Sequence, residues 1–126
     1  MVEVNTFIRG GVYLAKLNPS KHNEVGKLRP VIILTSQNIL NSKPSLIFVC
    51  PLSSKSHKDF QHLHFKIPPR DKLNKTSYAL IEHCKSISCQ RLNSNCLSVL
   101  TDKELEQIIY TLAFILDYRC KPKVNH

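Results

Sequence analysis

A chain of 126 residues with 42% hydrophobic content has room for one buried core and not for two, so residues 1–126 read as a single domain. Lysine and arginine total 18 against 9 acidic residues, a formal charge of +9, which favours an anionic partner: nucleic acid first, an acidic protein second, and a membrane surface last, because no strongly basic amphipathic helix accompanies the charge. No segment approaches the ~18 apolar residues of a spanning helix, Met1 to Gly10 lacks the apolar run of a secretory signal, and five irregularly spaced cysteines give neither a disulfide framework nor a close-paired zinc site, so the sequence reads as cytoplasmic.

In chain order, Arg9 to Leu17 carries Val12, Tyr13, Leu14 and Leu17 behind the Gly10-Gly11 pair, which predicts a short strand entered through a turn. Asn18 to Lys27, with Pro19, Ser20, Asn23 and Gly26 among charges, is a loop. It delivers Arg29 and Pro30 to the apolar run Val31-Ile32-Ile33-Leu34, a strand whose start is marked by a residue that has no N–H to donate. Asn38 to Pro44 reads as a turn, Leu46 to Cys50 as a third strand stopped by Pro51, and Leu52 to Asp59 as a polar loop. From His62 the residues alternate, placing Leu63, Phe65 and Ile67 on one face and His62, His64 and Lys66 on a wet one. Arg70 to Lys75 is a basic linker, Tyr78 to Ile81 a strand ending at Glu82 and His83, Ser86 to Asn95 turn-rich, and Leu97 to Leu100 a last short strand. Thr101 and Glu104 have capping-box spacing and Leu100 and Leu105 staple spacing, so a helix starts at Asp102. Its stripe of Leu105, Ile108, Ile109, Leu112, Ala113 and Leu116 is widened by Tyr110, Phe114 and Ile115, as a helix with a second packed surface or one sunk deep in its own domain would be. Short strands followed by one helix give a mainly β fold, a small antiparallel β-barrel or rolled sheet with a C-terminal helix.

A small barrel has no interior space for a cofactor, so chemistry belongs on the rim. Arg29 opens the second strand and Ser53 follows the third; antiparallel neighbours would bring the two together. A guanidinium held there presents a fixed fork of donors suited to a phosphate, while the same residue read alone is a solvated arginine. Glu24, on the loop before it, could orient the guanidinium or take a proton. His62 and His64 share a strand face at a spacing that can chelate a metal, but no third ligand stands in a recognised motif, so no metal is assigned. His57, His64 or His83 could supply an acid and a base for RNA transesterification, and the residues alone do not select a pair.

Four segments, taken together, resemble the MazF/PemK family of toxin endoribonucleases. Arg9-Gly10-Gly11-Val12-Tyr13 is similar to that family's opening Arg-Gly-Asp-Val-Tyr, and Glu24-Val25-Gly26-Lys27-Leu28-Arg29-Pro30-Val31 to its Glu-x-Gly-x-x-Arg-Pro-Val signature. Val49-Cys50-Pro51-Leu52-Ser53-Ser54 resembles Val-x-Pro-Ile-Thr-Ser, and Ser77 to Leu92, with Glu82, Ile87 and Gln90-Arg91-Leu92, resembles the late strand and turn. The resemblance, running from about Arg9 to Leu116, implies the fold shared with the gyrase poison CcdB, usually as a homodimer. It also implies metal-independent, sequence-selective cleavage of single-stranded RNA by attack of the 2′-hydroxyl, leaving a 2′,3′-cyclic phosphate and a 5′-hydroxyl, with no cofactor and with an acidic, partly disordered antitoxin as partner. Carried over by position, Arg29 and Ser53 are the catalytic pair, with Glu24 and Glu82 as support. Lys27, Ser54, Lys55, His57, His64 and Lys66 are then the candidate RNA contacts. Gly11 departs from the family's aspartate. Two other readings stand beside this one: a non-enzymatic CcdB-like poison that binds a protein such as gyrase, and a plain RNA-binding module.

Overall fold

Continuous apolar runs in the strands, rather than apolar–polar alternation, require a sheet covered on both faces. The computed structural model, which describes residues 7–17, 28–56 and 58–118, has this arrangement. Its strands are β1 (Gly11–Lys16), β2 (Leu28–Ile33), β3 (Leu46–Ser53), β4 (His64–Ile67), β5 (Ser77–Leu80), β6 (Lys85–Ser88) and β7 (Leu92–Val99), with helices α1 (Gln37–Asn41) and α2 (Asp102–Ile115). The sheet runs β4-β5-β3-β2-β1-β7, with β6 added to β3, and every paired neighbour is antiparallel. The path does not close on itself, so the expected barrel is an open, rolled sheet; after β4, the Lys72 N–H donates to the Leu97 carbonyl of β7 at 3.0 Å.

Period-two geometry divides the strand residues between two cores. Val12, Ile32, Cys50 and Leu52 pack under α2 with Leu105 and Ile108, while Tyr13, Val31, Ile33, Ile47 and Val49 pack on the opposite face with Leu40 of α1. Tyr13 is thus a core residue, and burial pushes its phenol up to about 12.

Five local expectations are corrected. β2 begins at Leu28, two residues before Pro30, and β3 runs through Pro51 to Ser53, because a proline lacks only its own N–H and each strand keeps a partner on its other side, β1 for Pro30 and β5 for Leu52 and Ser53. Residues 38–44 are not simply a turn, because Ser36 caps α1 by accepting from the Ile39 N–H. His62 and Leu63 belong to a 3₁₀ segment, Lys58–Leu63, so the alternating strand begins only at His64. The turn-rich stretch 86–95 contains most of β6, a 3₁₀ turn over Cys89–Arg91 and the first half of β7.

The helix start is as its residues dictate. Thr101 Oγ1 accepts from the Glu104 N–H, and the Glu104 carboxylate accepts from the Thr101 N–H at 2.8 Å. Both staple leucines, Leu100 and Leu105, are buried. The far side of α2 stays uncovered, with Tyr110, Phe114 and Leu116 exposed, so the apolar stripe is wider than the contact α2 makes within the chain.

Glu104 has a second task, since Arg70 donates to both its oxygens, at 2.7 and 2.8 Å. Burial acts to raise the Glu104 pKa, but the Arg70 guanidinium and the Thr101 bonds outweigh it and hold the carboxyl below its ordinary value. A depressed folded-state pKa gives stability that is present above the unfolded carboxyl's pKa and is lost as pH falls through the folded one. Glu104→Ala, which removes the cap and the bidentate pair together, is expected to lower unfolding free energy by about 2–3 kcal/mol at neutral pH. The deficit should shrink as urea titrations are repeated toward acid pH.

Candidate active site

The mouth of the site is made by two prolines. The β2–β3 ladder ends at the pair Val31↔Pro51, and Pro30 stands next in line on β2. Neither proline can donate to the other strand, so the ladder stops there and the strand ends are free to part. Continuing the same register by two residues sets Arg29 opposite Ser53 on one sheet face. Each remains anchored on its other side, Arg29 by pairing with Ala15 of β1 and Ser53 by pairing with Tyr78 of β5.

Arg29 and Ser53 accordingly line one cleft of about 650 Å³, together with Leu28, Pro30, Ser54, Lys55 and Lys75. Arg29 is exposed, and among the described residues no carboxylate pairs with its guanidinium. Ser53 Oγ accepts from the Lys55 N–H at 3.1 Å, which occupies one lone pair and leaves the hydroxyl proton to donate elsewhere. A cleft with three cations and a hydroxyl proton left to donate has the chemistry to take an anion such as a phosphate group.

A second cleft of about 600 Å³ adjoins the first through Ser54 and Lys55 and is lined further by Ser56, Gln61, His64, Lys66 and Tyr78. Here the wet-face expectation for His64 fails. Its side chain is 1% exposed, with Nδ1 2.7 Å from Ser56 Oγ and Nε2 2.8 Å from Glu82 Oε2. The short strand that follows the 3₁₀ segment turns this ring inward onto the residues after β5, so His64 forms the floor of the cleft. Lys66 of the same strand is exposed. Glu82 therefore reaches this cleft from below through His64, and His83, its neighbour, is largely solvent-exposed. Glu24, Lys27 and His57 lie outside the described residues.

Among the described residues no cluster of three metal-ligating side chains occurs, and His62 and His64 do not share a face as a chelating pair would. Among the described residues no cysteine lines either cleft; Cys50 is buried, and its hydrogen bond with Cys84, with burial, drives its pKa far up while Cys84 is lowered. Ser56, Gln61 and Lys75 line the clefts without having been singled out from sequence. Their one signal was position in polar stretches beside strand ends.

Gly11, where the resembling family carries aspartate, has no room for a side chain. A Cβ there would sit 2.7 Å from Tyr13 Cε1 and 2.9 Å from the Ile8 carbonyl oxygen. Gly11→Asp is expected to destabilise the fold by about 1–3 kcal/mol through overpacking, read as a lowered thermal midpoint with residual activity scaling to folded protein.

Comparison with known proteins agrees with the geometry. A family model described as PemK-like, MazF-like toxin of type II toxin-antitoxin system matches residues 8–116. The protein named Endoribonuclease MazF from Staphylococcus saprophyticus is 32% identical over 101 residues, covering 79% of this chain and 82% of that one. Among solved structures, a MazE-MazF crystal structure from Deinococcus radiodurans superposes with a TM-score of 0.72 at 19% identity, over 89% of this chain and 96% of that one. An endoribonuclease in complex with its cognate antitoxin, from a mycobacterial species, gives 0.68 at 19% identity, over 94% and 100%. The two structures bear on the fold, whereas the family model and the curated relative bear on descent: this chain belongs to the PemK-like, MazF-like toxin family of type II toxin–antitoxin systems.

Proposed function

We propose that the protein is an endoribonuclease toxin that cleaves single-stranded RNA without a metal, using Arg29 and Ser53. The observation that carries this reading is their convergence on one cationic cleft, with the Ser53 hydroxyl oriented by the Lys55 N–H. In the reaction the 2′-oxygen bonds to the adjacent phosphorus, the bond from phosphorus to the 5′-oxygen breaks, one proton leaves the 2′-hydroxyl and one reaches the departing 5′-oxygen. Negative charge gathers on the non-bridging phosphate oxygens in the transition state. The Arg29 fork and the Ser53 O–H are donors preorganised for that charge, which is where electrostatic catalysis acts. Glu24, five residues before Arg29 in the sequence, is the carboxylate proposed to take the 2′-hydroxyl proton. Lys55, Lys66 and Lys75 hold the chain through its phosphates, and single strands expose the base edges that a groove can read.

The +9 charge also suits an acidic, partly disordered antitoxin competing for the same surface, in the cytoplasm, where such a pair works. The uncovered face of α2 suits a homodimer. No helix among the described residues is long and apolar enough to cross a membrane. End-group analysis tests the chemistry. Downstream fragments should accept phosphate from a polynucleotide kinase without prior phosphatase treatment, as 5′-hydroxyl ends do; fragments that are blocked until dephosphorylated would overturn the proposed bond cleavage.

A further inference from the structure

The pair formed by the buried His64 imidazole and the Glu82 carboxylate, which is 21% exposed and lies 3.7 Å from His83 Nε2, lies outside the catalytic cleft. Burying an imidazole is costly unless its hydrogen bonds are met, and both ring nitrogens are met in a line from Glu82 Oε2 through His64 Nε2 and Nδ1 to Ser56 Oγ, while Glu82 Oε1 is buried without a partner among the described residues. A carboxylate only accepts, so in the neutral ring the single proton is on Nε2 and Nδ1 is an acceptor. Ser56 must then donate its hydroxyl proton inward. Toward the second cleft it presents lone pairs and nothing else.

That cleft shares Ser54 and Lys55 with the catalytic one and is bordered by Tyr78, which offers a ring for stacking, and by Lys66, which offers a cation for the backbone. A nucleotide next to a phosphate held at Arg29 and Ser53 would enter this second cleft, whose lining includes Ser56. Resting on the ribonuclease reading, we propose that Ser56, held as a pure acceptor by His64 and Glu82, is a specificity-determining residue that selects an amino base, adenine or cytosine, over a keto base, guanine or uracil, at one nucleotide next to the cut. The group read is the one at C6 of a purine or C4 of a pyrimidine: the amine of adenine or cytosine donates to such a hydroxyl, whereas the keto oxygen that guanine or uracil carries there meets a second set of lone pairs.

The test is cleavage of a randomised single-stranded RNA pool with sequencing of the cut ends, for the wild type and for Ser56→Ala, Ser56→Thr and His64→Phe. The wild type should favour amino over keto bases about tenfold at one position flanking the cut. Ser56→Ala should narrow the contrast to within about twofold, Ser56→Thr should retain it, and His64→Phe, which keeps the hydroxyl but frees its proton, should narrow it as the alanine does. Ser56 is only partly buried, so its alanine variant decides the matter even where His64→Phe fails to fold. No amino–keto contrast in the wild type, or a contrast that survives in Ser56→Ala or in folded His64→Phe, overturns the assignment while leaving the ribonuclease intact. A wild type that leaves the pool uncut overturns the ribonuclease reading, and this inference with it.

Discussion

Arg29→Ala is expected to lower RNA cleavage by about a hundredfold or more, the usual effect of removing one preorganised donor from a developing oxyanion. The loss should fall on kcat more than on KM. Lys55 and Lys75 remain in the cleft to hold the ground-state phosphate, whereas the guanidinium fork matches the transition-state charge that a point cation meets less well. Arg29→Lys should therefore recover only part of the rate. Folding should be little changed, because the side chain is exposed and the backbone pairing with Ala15 does not depend on it. A parallel thermal melt checks that the loss is chemical.

Ser53→Ala is expected to cost somewhat less, roughly ten- to a hundredfold, since it removes a neutral donor where Arg29 supplies a charged one. Its hydroxyl also accepts from the Lys55 N–H, so the alanine variant loses a local bond that shapes the turn into the second cleft. Ser53→Thr separates the two effects. It restores donor and acceptor together and should return cleavage to within a few-fold of the wild type, whereas a threonine as slow as the alanine would mean that the hydroxyl is not the working group. Single-turnover rates on one short RNA, for all four variants under one salt condition, give the comparison.

The parts of this site that were legible in sequence are those whose cause is local. Pro30 and Pro51 pointed from composition to the neighbourhood of Arg29 and Ser53, whose opposition follows from antiparallel register, but they do not bound the strands: β2 begins at Leu28 and β3 runs on to Ser53. The capping box at Thr101 was legible for the same reason: donor and acceptor are three residues apart. What escaped is tertiary. The line from Ser56 through His64 to Glu82 joins residues eight and eighteen apart, and no periodicity distinguishes a histidine that points inward from one that points outward. The 3₁₀ segment over Lys58–Leu63 takes up the first residues of the alternating pattern and so changes which of them belong to a strand. Much of β6 and the start of β7 were hidden by polar side chains such as Ser86, Asn93, Ser94 and Asn95, because their pairing with β3 and β1 depends on backbone groups that composition does not register. Arg70 looked like part of a basic linker, and only the return of α2 shows it paired with Glu104.

The most direct measurement is incubation of purified protein with single-stranded RNA in excess EDTA, the wild type beside Arg29→Ala. The account predicts discrete fragments from the wild type, unaffected by the chelator, and RNA left almost whole by the variant over the same time. Intact RNA in both lanes, cleavage that EDTA abolishes, or equally fast cleavage by Arg29→Ala would each contradict it.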